Sequence, residues 1–277
     1  GNDITLVTTG SITETEATLA DDISLLNSLT LTLDAPNSFI GGTGAGDIEF
    51  DATTLTLARA DGVIYLTSLA TGGTTVADAQ STTAGDIVLT QTGNQTLTLT
   101  SVTTVSGNIS VSNTGGTLTS NIITAGTAGD IALTTLTSGG IVLNGVVTAT
   151  GDSITLTSAG SIIETEATAG DNLSLLNSLT LTVDAPSSFI GSTTTGDIEF
   201  DATTLTLARA NGVIYLTSIA TGGTTVTDAQ STTAGDIVLI QTGNQTLTLT
   251  SVTTTSGNIS VNNTDGNITT NTVTAGG

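Results

Sequence analysis

Apolar residues in this chain fall on alternate positions in short runs, and a glycine followed by a polar residue separates one run from the next. The stretch 85–106, GDIVLTQTGNQTLTLTSVTTVS, shows the unit: Ile87 and Leu89, a Gly93-Asn94 turn, Leu97 and Leu99, then Val102 and Val105. The next pair, Gly107-Asn108, starts the pattern again. A period of two predicts strands with one buried side and one wet side. A unit this short cannot bury its apolar face alone, but copies stacked on one another can. Ile87, Ile109 and Ile131 recur at intervals of 22 residues, with Ile154 23 further on. The pattern therefore predicts an all-β chain folded as a parallel β-solenoid with coils of about 22 residues.

A longer period contains the shorter one. GDIEFDATTLTLARA begins at Gly46 and again at Gly196, an offset of 150 residues that also relates Gly85 to Gly235. Residues 1–150 are read as a first tandem repeat and 151–277 as a second, incomplete one, both parts of a continuous solenoid. Neither end carries a distinctive cap, so a longer array is expected. Before residue 85 the isoleucines that follow a turn (Ile4, Ile23, Ile48, Ile64) are spaced less evenly, and they are taken as coil starts. Residues 53–68 hold two alternating runs around Asp61-Gly62, which becomes Asn211-Gly212. That signal suits either a projecting antiparallel hairpin or a solenoid corner with a left-handed residue. Residues 71–84 read as a polar loop, and Pro36 marks a corner or loop.

Composition narrows the partners. Aromatic residues make up 2% of the chain, so the core must be a thin aliphatic one. Net charge is −22, with no His, Cys, Met or Trp, and the only basic side chains are Arg59 and Arg209. Nucleic acid is a poor partner for such a surface, because binding it demands clustered Lys and Arg. No apolar run is long enough to insert in a membrane. The expected partners are the neighbouring repeats of the same chain and other copies of it, laterally.

Candidate chemistry is sparse. Without His, Cys or Lys the usual nucleophiles and bases are missing, and no catalytic residue or organic cofactor is expected. Asp47, Glu49 and Asp51 (again Asp197, Glu199 and Asp201) are expected to share one outward strand face, as are Glu14 with Glu16 and Glu164 with Glu166. Stacked coils would align Asp86, Asn108, Asp130 and Asp152, with Asp236 in the second copy. Such a ladder of oxygen ligands suits structural Ca²⁺. The alternative is that each side chain accepts a hydrogen bond from its own turn. Arg59 and Tyr65, with Arg209 and Tyr215, are the only Arg and Tyr of each repeat and mark a candidate interaction surface. Val238 and Ile240 extend it, Ile240 standing where the first copy has Thr90. Outward threonines such as Thr30, Thr32, Thr54, Thr56, Thr96, Thr98 and Thr100 raise a third idea, an ice-binding face.

The stretch GDIVLTQTGNQTLTLTSVTTVSGNISVSNTGG resembles the β-helical repeats of filamentous-haemagglutinin-type and autotransporter adhesins, large bacterial surface proteins. The likeness covers nearly the whole chain. It implies a right-handed parallel β-helix, export to the cell surface, and a stalk segment of a secreted adhesin. An extracellular filament or sheath that bundles laterally is the alternative.

Overall fold

The computed structural model describes residues 2–15, 25–43, 46–165, 174–192 and 196–277. The chain forms an all-β, right-handed parallel β-solenoid. It divides into two compact units, Gly1–Ser138 and Gly139–Gly277. Strand pairings within each unit are parallel, apart from one isolated antiparallel bridge between Ser192 and Gly196.

One coil of the first unit shows how sequence becomes shape. The strand Ile87–Gln91 makes the first side, burying Ile87, Leu89 and Gln91 and turning Val88 and Thr90 outward. After the Gly93 turn, the strand Leu97–Ser106 makes the other two sides. Its buried positions are Leu97, Leu99, Val102 and Thr104, so the alternation slips by one at Thr100 and Ser101. Two successive outward residues are what a bend between two flat sides requires, since strict alternation would carry Val102 into water.

Coils stack residue upon residue. Ile87 pairs with Ile64 on one side and Ile109 on the other, and Ile109 pairs with Ile131. Bridges from Ile64 to Ile40 and from Ile40 to Ile12 extend this first-side column. Leu99 and Val102 start comparable columns on the second and third sides, through Val76 and Ala79. Ile64, Ile87, Ile109, Leu99 and Val102 are fully buried. Burying one such side chain contributes about 1.5–3 kcal/mol, so a core with almost no aromatic rings is sufficient when every coil adds to it.

Three of the sequence expectations are corrected by this register. Ile4 pairs with Leu31 and Ile154 with Leu181, which are second-side positions, and Ile48 pairs with Leu66 rather than opening a coil. Ile23 lies outside the described residues. Residues 71–84 are not a loop: they hold the strands Thr74–Val76 and Ala79–Ala84, each in register with Leu97–Ser106. Finally, residues 53–68 form a corner and not a hairpin, because Ile48–Ala60 and Ile64–Ser68 run parallel. Gly62 does not take a positive φ there, so the corner needs no left-handed residue.

Candidate functional site

Glycine and an inward polar side chain build the corners at the two ends of the first side. At the entry to the first side the backbones of successive coils nearly touch. A Cβ added at Gly85 would stand 2.2 Å from the carbonyl carbon of Gly62, and one at Gly107 would stand 2.5 Å from the Gly85 oxygen. Only a residue without a side chain fits such a column. Inside the corner, Ser81 donates its hydroxyl to Gly62 O at 2.9 Å and Thr104 donates to Gly107 O at 2.8 Å. At the far end of the first side Ser68, Gln91, Asn113 and Thr135 stack inward, all nearly inaccessible. The Gln91 amide donates to Thr92 O at 3.0 Å, and that of Asn113 to Gln95 O at 2.9 Å. These amides satisfy turn carbonyls that would otherwise be buried without partners. The alternating pattern placed them on the buried side, but their polarity gave no hint of their capping role.

The candidate calcium ladder is a hydrogen-bond ladder. Asp86 Oδ1 accepts the backbone N–H of Asn108 at 2.8 Å, and Asn108 Oδ1 accepts that of Asp130 at 2.9 Å. Asp236 and Asn258 repeat the first contact at 2.7 Å. The acceptor therefore serves the next coil rather than its own turn. Asp152 stands at a break of register, between Ala149 and Ser153 of the strand Val147–Ser158. Among the described residues no group of three or more acidic side chains is arranged to hold a metal ion.

The acidic trio does not share a wet face. Asp47 and Glu49 are buried, at 7% and 1% exposure, and only Asp51 is half-exposed; Asp197, Glu199 and Asp201 repeat this. The Thr67 hydroxyl donates a short hydrogen bond to Asp47, as Thr217 does to Asp197. Ile40 and Ile48 nonetheless pair with Ile64 and Leu66, alternate positions of the next coil. Six residues are inserted between them, and Gly42 N closes back on Gly46 O at 2.5 Å. Glu164 also departs from expectation. It pairs with Leu143 in an inward column and is buried. Glu14 is half-buried and borders a cavity of about 260 Å³ with Leu6, Ile12, Leu26 and Ile48. Glu16 and Glu166 lie outside the described residues.

Arg59 is committed to a partner. Its Nε and Nη2 donate to the two oxygens of Asp34 at 2.9 and 2.7 Å, and Arg209 does the same with Asp184. The hydrogen bond to Asp34, and then its charge, raises the Arg59 guanidinium above its ordinary pKa. Asp34 was not foreseen; an opposite charge 25 residues away, about one coil, was the available signal. Arg59 belongs to the third side and Tyr65 to the first, so the corner separates them. Tyr215 pairs with Val238 and Thr217 with Ile240, which gathers Tyr215, Val238 and Ile240 on the first side of the second unit.

On the second side Thr30, Thr54, Thr75, Thr98 and Thr119 form one unbroken column, repeated by Thr180, Thr204, Thr225, Thr248 and Thr269. The flanking positions are mixed. Gly73 leaves a groove of about 330 Å³ bordered by Thr53, Thr75, Thr96 and Thr98.

Taken together, the corners, ladders and columns define a repetitive structural protein, a parallel β-solenoid whose fold supports a stalk-like role. Comparison of the chain with known protein families, with curated proteins and with solved structures returns no match. What is shown is therefore the β-solenoid fold alone, and no homologue or family ties the chain to bacterial adhesin repeats.

Proposed function

We propose that the chain is a stalk segment of a long, repetitive bacterial surface adhesin, working outside the cell to hold a binding element at a distance. The observation that carries this reading is the register: core, corner and capping positions repeat coil after coil. A load along the stack is then shared by many parallel hydrogen-bond ladders. The excess of acid over base, 24 residues against 2, keeps such stalks soluble and apart. Immunogold labelling of intact cells that carry the full-length protein is the test. Label on filaments beyond the envelope is expected, and label confined to the cytoplasm overturns the proposal.

A laterally bundling filament is the second reading, favoured by Tyr215, Val238 and Ile240 lying on one side. Sedimentation with and without Ca²⁺ separates the two, since bundling predicts cation-dependent growth in mass.

A further inference from the structure

The first side carries an aromatic patch inside an acidic rim. Ile40 N donates to Val63 O at 3.0 Å and Ile64 N to Asp86 O at 2.9 Å, so Phe39, Val63 and Asp86 follow one another up the stack. Tyr65, two residues beyond Val63, pairs with Val88. Diagonal neighbours of this kind are roughly 7–8 Å apart, within reach of aromatic side chains. Beneath Tyr65 is Gly41, where a Cβ would meet Tyr65 O at 2.3 Å, so no side chain can fill that place. Phe39 is 39% exposed and its counterpart Phe189 is 37% exposed. Each repeat has three aromatic residues; Phe50 and Phe200 are in the core, and the other two of each repeat stand here. Asp61, whose N–H donates to Ser38 O next to Phe39, and Asp86, in register with Val63, border the first patch; Asn211 and Asp236 hold the corresponding places in the second.

The charge of the molecule decides what could lie on this patch. Both basic side chains of the chain are already held, by Asp34 and Asp184. The rest of the surface is acidic, so a second copy would bring like charge to the rim, and an anionic ligand would be repelled. A cation is favoured twice, by the carboxylates and by the faces of Phe39 and Tyr65. We propose that the patch receives a Lys- or Arg-rich peptide segment of a partner protein, with a cationic head over the rings and its neighbours at Asp61 and Asp86. The first patch is the tighter of the two, because Asp61 becomes Asn211. The proposal stands whether or not the chain is a surface stalk.

Tyr65 and Tyr215 are the only tyrosines and there is no tryptophan, so intrinsic emission reports from the two patches alone. Titrating the whole chain with octalysine or octaarginine at low salt should change that emission, while octaglutamate should not. The double variant Phe39→Ala/Phe189→Ala should weaken binding about fivefold, the scale of an exposed cation–ring contact. Asp61→Asn should remove most of the difference between the two patches. Asp265→Asn, an exposed acid in the turn after Asn263 and outside the Asp86 hydrogen-bond ladder, should leave affinity within about twofold, as a contact at the patch requires. Circular dichroism checks that each variant is folded. Equal binding by Phe39→Ala/Phe189→Ala and the natural chain overturns the proposal, as diffuse charge attraction would then suffice. An equal loss in Asp265→Asn overturns it likewise, and so does a tyrosine response to self-association or to a neutral oligosaccharide with none to octalysine.

Discussion

The coil that starts at Ile87 and the coil that starts at Ile40 contribute to the same core columns and differ in what lies outside them. In the first, the chain runs straight along the side, and Val88 and Thr90 stand half-exposed. In the second, six extra residues stand in the sequence between Ile40 and Ile48, and Asp47 and Glu49 are buried. Register with the next coil is kept, Ile40 under Ile64 and Ile48 under Leu66. An insertion that respects the inner column therefore leaves the stack in register, while the acidic residues beside it are buried where the regular coil has half-exposed ones. The difference teaches that the inside of a coil is set by its neighbours above and below, whereas exposure on the outside varies from coil to coil.

Substitutions can break that contrast. The largest effect belongs to the feature both coils share, the glycine corner. Gly85→Val would drive a side chain into the backbone of Gly62, at a loss of about 3 kcal/mol or more, while Gly93→Ala meets no neighbour within 4 Å and is charged only for its positive φ. Chemical denaturation of the two variants should rank them in that order, and equal midpoints would mean that the corner opens freely. A middle-sized effect tests the buried acids. Thr67→Val removes the hydroxyl that Asp47 accepts, for about 1–3 kcal/mol, whereas Thr90→Val, its register partner in the regular coil, should be nearly neutral. The second copy already carries Ile240 at the position of Thr90. Similar melting temperatures for both variants would remove the distinction between the coils. The smallest effect is at Arg59. Arg59→Met gives up an exposed ion pair, so its shift in melting temperature should be slight and should vanish as salt is added. A shift that persists in high salt would show that the Arg59–Asp34 fork holds the coils together by more than charge.

The regular coils were legible because sequence spacing and spatial spacing agree there. Ile87, Ile109 and Ile131 are one coil apart on both counts, and Gly85 and Gly107 announced the corner before its steric cause was visible. Where insertions intervene, the local period still marks strands but no longer says which side of the coil they join. Ile4 and Ile154 carry the alternation of a first-side strand and take second-side places, because the register is fixed by partners some 27 residues away. Asp47 and Glu49 obeyed the period-two rule and still misled, since alternation records which way a side chain leaves its own strand and not whether that direction is open to water. Thr74–Val76 and Ala79–Ala84 were hidden for a simpler reason: strands of three and six residues rich in Thr, Ser and Gln look like loop until a neighbouring ladder holds them.

The strand Val147–Ser158 spans the point where numbering by 150 places the seam between copies, with a shift of register between Ala149 and Ser153, and Ile141 to Ser158 takes residues from both sides of it. A tandem array of this kind has no privileged first residue. Recombination that drops or duplicates 150 codons, wherever the crossover falls, splices a half-turn onto the half-turn it already fitted. Length can thus drift from generation to generation without any junction that selection would first have to repair.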